Sequence, residues 1–99
     1  TWNAHPFIAP DESYVIWDGQ RTEGQRDSDL YISFKEANGA WGEAIRFGDN
    51  VNSSANDFAA QLSPDGKYLF FSRYDEEGGE ISNLYWISTQ VIERLRPTK

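Results

Sequence analysis

The chain has 99 residues, a formal net charge of −7 and no cysteine. This length suits one small domain, and the lack of cysteine excludes disulfides and thiolate metal sites. The acidic surface should repel phosphate backbones, so we expect no nucleic-acid partner. No run reaches the roughly 18–20 apolar residues of a membrane span. The chain begins with Thr1 and contains no methionine, which favours a processed or excised piece of a longer product.

The first half of the chain predicts a unit of short strands over about residues 3–56. Its elements in chain order are an apolar segment at 6–9, a turn at 10–13, a strand at 14–17, a polar segment at 18–28, a strand at 30–34, an Asn38-Gly39 hairpin turn and a strand at about 41–47. The strand at 14–17 is apolar on both faces, which is typical of a sheet buried between two neighbours.

The second half repeats this pattern over about residues 57–89. Residues 57–87 align without a gap with residues 3–33, and the identical residues include proline, aspartate and tyrosine of the first turn and strand. The turn at 64–67 and the strands at 68–71 and 84–87 follow in the same order. No fourth strand is predicted in this copy. A gapless match of this kind indicates two copies of one supersecondary unit, as in solenoids and propellers.

The C-terminal tail, residues 90–99, departs from the repeat. Apolar residues at 91, 92 and 95 have helical spacing, and Pro97 ends the segment. The sequence therefore predicts an all-β chain of about two four-stranded antiparallel propeller blades, the second incomplete, with a short C-terminal helix. Two blades cannot close a ring, because propellers have about 4–8, so apolar faces and a sheet edge would lie open.

The segment Ser63-Pro64-Asp65-Gly66-Lys67-Tyr68-Leu69-Phe70-Phe71-Ser72 resembles the PD40 (WD40-like) repeat of TolB-type propellers, and residues 9–17 look like the same repeat without its glycine. Segments 28–33 and 82–87 are similar to the strand that ends such repeats. The resemblance covers nearly the whole chain. It implies the C-terminal part of a six-bladed propeller, a periplasmic or extracellular location and a role as a partner-binding scaffold.

Candidate binding residues lie where the strand at 68–71 ends. Arg73 could hold a carboxylate or phosphate, Tyr74 could stack on a ligand, and residues at strand exits on a rigid scaffold often bind ligands. Asp75, Glu76 and Glu77 complete this candidate site. The alternative is an ion pair of Arg73 with Asp75 or Glu76 on the protein surface.

Metal binding and catalysis have less support in the sequence. Asp75, Glu77 and Glu80, beside two glycines, form a candidate Ca²⁺ loop, but the spacing is not that of an EF-hand, and a solvated loop is the favoured interpretation. The single histidine, His5, is interpreted as a plain strand residue. The GxSxG motif of hydrolases is absent from the sequence. Carboxylate pairs such as Asp27 with Asp29 remain candidates for sugar hydrolysis.

We therefore expect a non-catalytic binding or scaffold module without a cofactor, whose partners are other proteins or further blades reached through the segments at 18–28 and 72–82. Two alternatives remain open. The chain self-assembles into a homo-oligomer that closes a ring, or it is the accessory part of a glycan- or peptide-acting enzyme.

Overall fold

The computed structural model describes residues 3–20, 28–48, 51–52, 56–74 and 82–97. The elements are β1 (Asn3–Ile8), β2 (Tyr14–Gln20), β3 (Ser28–Phe34), β4 (Ile45–Arg46), β5 (Asn56–Leu62), β6 (Tyr68–Tyr74), β7 (Ser82–Ser88) and α1 (Gln90–Leu95). They form a four-stranded antiparallel sheet in the order β1-β2-β3-β4 and a three-stranded antiparallel sheet in the order β5-β6-β7. The predicted all-β class, with four strands, three strands and a short helix, is confirmed.

The two sheets repeat each other down to an irregularity in their first strands. The pairing of β1 with β2 shifts register between Ala4 and Phe7, and the pairing of β5 with β6 shifts between Phe58 and Gln61. His5 (φ 49°) and the aligned Ala59 (φ 57°) occupy the left-handed region at these shifts. A bulge that recurs at aligned positions is part of the repeated unit, and bulges bend the strand that carries them.

The turns between the first two strands of each sheet are also built alike. The amide of Ser13 donates to Asp11 Oδ1 and the amide of Lys67 donates to Asp65 Oδ1, both at 3.0 Å. Gly66 has φ 73°, and Glu12 at the aligned position has φ 62°. The left-handed conformation suits glycine and strains a residue with a Cβ atom, so the first turn carries a strain that the second does not.

The strands extend further than the sequence predicted. β2 continues to Gln20 and β6 to Tyr74, while β3 and β7 begin at Ser28 and Ser82. The ends of the predicted polar segments at 18–28 and 72–82 therefore belong to the sheets. The error arose because Asp18 looks like a loop residue, whereas its carboxylate is buried and hydrogen-bonded in the sheet.

The predicted strand at 41–47 is mostly irregular, and only Ile45–Arg46 and a bridge between Lys35 and Trp41 pair with the sheet. Gly42 makes two hydrogen bonds to β3, one from its amide to the carbonyl of Phe34 and one from Ser33 Oγ to its own carbonyl, both at 2.8 Å. The predicted turn at Asn38-Gly39 is present, but only Gly39, with φ 87°, takes a positive φ.

The core lies between the two sheets and beneath α1. Buried side chains from both sheets and the helix form one cluster, whose largest fully buried members include Ile16, Leu30, Ile32, Phe47 and Leu69. α1 covers one end of this core with Val91 and Ile92. Arg96, directly after the helix, lies 4.9 Å from the ring centroid of Phe34 in the first sheet, so the tail connects the second sheet back to the first.

Candidate functional site

Three fully buried aspartates bond to basic side chains, and one of them, Asp18, also bonds to the other sheet. Asp18, Asp29 and Asp57 are each 0% exposed. Their carboxylates bond to His5 Nδ1 (2.8 Å), Arg46 Nε (2.7 Å) and Arg73 Nε (2.6 Å), in that order. A buried charge is strongly unfavourable unless it is paired, so each aspartate depends on its basic partner.

Asp18 connects the two sheets directly. Its Oδ2 accepts a hydrogen bond from the amide of Ala59 at 2.9 Å as well as from His5. Ala59 lies at the bulge of β5, which turns its amide toward the first sheet. Among the described residues, Oδ1 of Asp18 has no hydrogen-bond partner. His5 was interpreted as a plain strand residue, and the structure gives it this additional contact with a carboxylate.

The connection between the sheets is fixed by two further polar residues. Asn52 is buried, and its amide bonds to the backbone of Leu30 through both Oδ1 (2.8 Å) and Nδ2 (3.1 Å), and to the carbonyl of Phe47 (2.7 Å). Ser28 Oγ donates to the carbonyl of Asp57 at 2.9 Å. Asn52 thus holds the connection between the sheets to the first sheet, and the Ser28 bond joins the first sheet directly to the second.

Arg73, the leading candidate for ligand binding, makes its described contacts inside the protein. Besides Asp57, it donates from Nη2 to the carbonyl of Val51 at 2.6 Å. Its Cζ lies 4.5 Å from the ring centroid of Tyr85 and 5.5 Å from that of Phe71. The predicted alternative was an ion pair with Asp75 or Glu76, which lie outside the described residues; the ion pair described for Arg73 is with Asp57.

The other predicted site residues lie outside the part of the chain that can be discussed. Tyr74 ends β6, but its side chain is not described, and Asp75, Glu76, Glu77 and Glu80 lie outside the described residues. The candidate Ca²⁺ loop therefore stays a prediction. Within the described ranges, no group of three or more histidine, cysteine, aspartate or glutamate side chains could hold a metal ion.

The outer face of the second sheet is apolar and exposed. We call it the forward face and define it by Tyr68, Phe70, Leu84 and Trp86; Phe70 and Trp86 lie opposite each other across β6 and β7. Leu84 is 60% exposed and Trp86 65% exposed. The aligned residues of the first sheet, Leu30 and Ile32, are 0% exposed because the second sheet covers them.

The outer face of the first sheet is also open, and its counterpart in the second sheet is the face that is covered. We call it the rear face and define it by Asn3, Val15, Trp17 and Tyr31, which line a pocket of about 520 Å³. Val15 and Trp17 are half-buried, whereas the aligned residues of the second sheet, Leu69 and Phe71, are buried against the first sheet. Each outer face thus corresponds, residue by residue, to a face that is covered elsewhere in the same chain.

Sequence reasoning missed the buried aspartates and Asn52. The one available signal was the alternation of β2, in which Asp18 follows Tyr14 and Ile16 on the core side of the strand.

Comparisons with known proteins identify no relative. No protein-family model matches the chain, and neither the curated proteins nor the solved structures gave a match. Among the described residues, no helix is long and apolar enough to cross a membrane.

Proposed function

We propose that this chain is a non-catalytic scaffold module that binds other proteins by stacking β-sheets on its forward and rear faces. The partners in this proposal are further sheets of the same kind, as in the PD40-type propellers that residues 63–72 resemble. The location that goes with this proposal is the periplasm or the cell exterior.

One observation carries the proposal: the two outer faces are the counterparts of the two faces that meet inside the chain. Ile16, Leu30 and Ile32 are buried against the second sheet, and their aligned residues Phe70, Leu84 and Trp86 form the forward face. An exposed apolar patch of this kind marks an interaction surface on a folded protein. The internal contact supports a sheet as the partner, because the corresponding face of the first sheet is covered by a sheet, the second one of this chain.

A second candidate function, self-assembly, is favoured by the same geometry. Both complementary faces are present on one chain, so the forward face of one copy can dock on the rear face of the next. Such a contact is heterologous, and it closes into a ring or continues as a filament, depending on the rotation between copies.

Sedimentation velocity over a range of concentrations tests the proposal. We expect the wild-type chain to form larger species as its concentration rises. Trp86→Glu places a charge in the centre of the forward face and should keep the chain monomeric. Trp41→Glu is the matched control, because Trp41 is exposed but belongs to neither face. A wild-type chain that stays monomeric up to millimolar concentration, with no affinity for other β-sheet proteins, would contradict the proposal.

A further inference from the structure

The same position of the repeat holds an arginine in one sheet and a glycine in the other. In the second sheet, Arg73 lies opposite Asp57 across β5 and β6 and covers the stacked rings of Phe71 and Tyr85. The aligned residues in the first sheet are Gly19 for Arg73, Asn3 for Asp57, Trp17 for Phe71 and Tyr31 for Tyr85. The aromatic residues and an oxygen acceptor are therefore retained, but the guanidinium is replaced by a hydrogen atom.

The aromatic pair of the first sheet has almost the same geometry as that of the second. Trp17 and Tyr31 have ring centroids 6.0 Å apart at an interplanar angle of 21°, and the corresponding values for Phe71 and Tyr85 are 6.0 Å and 17°. Trp17 Nε1 donates to Asn3 Oδ1 at 3.1 Å, which holds this oxygen next to the rings.

The space beside these rings is open. Asn3, Trp17 and Tyr31 line the pocket of about 520 Å³ on the rear face. None of its described lining residues carries a charge. An extra Cβ atom on Gly19 would lie 2.7 Å from Asn3 Oδ1 and 3.4 Å from the Tyr31 ring. The first distance is too short for a real contact, so a side chain at this position would enter the group only after the Asn3 side chain had shifted.

We propose that Asn3, Trp17 and Tyr31 form a cradle that binds the guanidinium group of an arginine from a protein partner. A planar cation is attracted to aromatic faces, and arginine stacks on them better than lysine because its guanidinium is flat and weakly hydrated. The net charge of −7 adds a general attraction for cations. This inference rests on the proposed function, since the arginine would belong to the protein that covers the rear face.

The test titrates the peptide N-acetyl-Gly-Arg-Gly-amide into the full chain while NMR follows the indole N–H of Trp17. The titration is carried out on the wild type and on Trp86→Glu, in which other copies should not cover the rear face. Peptides with citrulline or lysine in place of arginine are the controls, and citrulline keeps the shape of arginine without its charge. We expect arginine to bind at least about five-fold more tightly than citrulline, which corresponds to about 1 kcal/mol of cation–π attraction.

Two variants of the cradle locate the binding. Tyr31→Leu should remove the preference for arginine, whereas Trp41→Leu should leave it unchanged. Asn3→Asp combined with Gly19→Arg transplants the Asp57 and Arg73 pair into the first sheet. This double variant should abolish peptide binding, because an arginine of the chain itself then occupies the cradle once the side chain at position 3 has shifted. It keeps the inference testable if Tyr31→Leu does not fold.

Three results would overturn the inference. The first is equal affinity for the arginine and citrulline peptides, and the second is peptide binding that survives in the double variant. The third is binding that appears only after Arg21→Gln and Arg26→Gln in the polar segment at 18–28, which would mean that the chain supplies its own arginine. Self-association without arginine preference would overturn this inference alone. Arginine preference in a chain that binds no other sheet would overturn the proposed function alone.

Discussion

The ion pair between Arg73 and Asp57 offers the strongest single test of how the second sheet is stabilised. In Arg73→Met, the aliphatic part of the side chain still covers Tyr85, but the Asp57 carboxylate loses its ion pair with Arg73 while it stays 0% exposed. Removing one partner of a buried pair costs about 3–5 kcal/mol. Because the Arg73 side chain is 19% exposed, solvent screening lowers the expected cost to about 2–4 kcal/mol.

This loss is large for a domain of this size, because small domains are stable by only about 5–15 kcal/mol. Each kcal/mol corresponds to about 4–8 °C in the melting temperature of a 60–100-residue domain. The melting temperature of Arg73→Met should therefore fall by roughly 8–32 °C. Urea unfolding followed by tryptophan fluorescence gives the free energy of unfolding independently.

A double-mutant cycle separates the ion pair from other effects of the substitution. Asp57→Asn removes the buried charge, so Asp57→Asn combined with Arg73→Met should cost about 1–3 kcal/mol less than the sum of the two single variants. Glu93→Gln is the control, because the Glu93 side chain is 65% exposed in its pair with Arg96, and it should cost only about 0–1 kcal/mol. A cost below about 1 kcal/mol for Arg73→Met, or no coupling in the cycle, would refute the structural role assigned to this pair.

Three further predictions concern parts of the repeat outside this pair. Glu12→Gly should stabilise the chain by about 1 kcal/mol in thermal unfolding, because Glu12 has φ 62°, a value that strains a residue with a Cβ atom. Gly66→Glu at the aligned turn should destabilise the chain by a similar amount. A loss of stability in Glu12→Gly would contradict the repeat alignment. Hydrogen bonds from Ser63 and the Lys67 amide lower the pKa of Asp65 below its ordinary value of 3.8, so the ionised form favours folding above that pH and the contribution is lost as pH falls through the lower folded-state pKa. Urea midpoints should accordingly fall more steeply between about pH 4 and pH 2 in the wild type than in Asp65→Asn, and parallel curves would exclude this linkage. Asn52→Ala should cost about 1–3 kcal/mol, because the buried amide of Leu30 loses the Asn52 acceptor, while the carbonyls of Leu30 and Phe47 each lose one of two donors. A cost comparable with that of an exposed substitution would argue against the bonds described.

The repeat made much of the fold predictable from the sequence. The aligned turns at Asp11 and Asp65 and the strands after them have local signals, namely turn residues followed by β-branched and aromatic runs. The helix was predictable from its apolar spacing and from Pro97. These features depend on neighbouring residues in the sequence, which is why a single sequence was enough to predict them.

The bulges and the interface between the sheets could not be predicted in the same way. His5 and Ala59 take positive φ values without the glycine that usually signals them. Asp18, Asp29 and Asp57 are buried because basic partners 13 or more positions away meet them only after the sheets form. Aspartate is rarely fully buried unless it is paired, so a reading of local patterns assigns it to loops.

Arg73 illustrates the same limitation at the candidate site. Its position after a core strand indicated a ligand contact, which stays a prediction, but no local pattern indicated its contacts with Asp57, Val51 and Tyr85. The exposed surfaces became visible only when aligned residues of the two sheets were compared. In the sequence, Trp17 and Trp86 are simply aromatic residues of strands. Trp17 is half-buried and Trp86 is 65% exposed, whereas the aligned residues Phe71 and Ile32 are buried, and this difference identifies the two open faces.

A mixing experiment tests most directly the claim that the forward and rear faces of this chain fit each other. Trp86→Glu blocks the forward face and Trp17→Glu blocks the rear face, so each variant alone should sediment as a monomer. An equimolar mixture keeps one intact face of each kind, and we predict that it forms a 1:1 dimer that grows no further. A mixture that stays monomeric while the wild type associates, or single variants that still dimerise, would contradict the account.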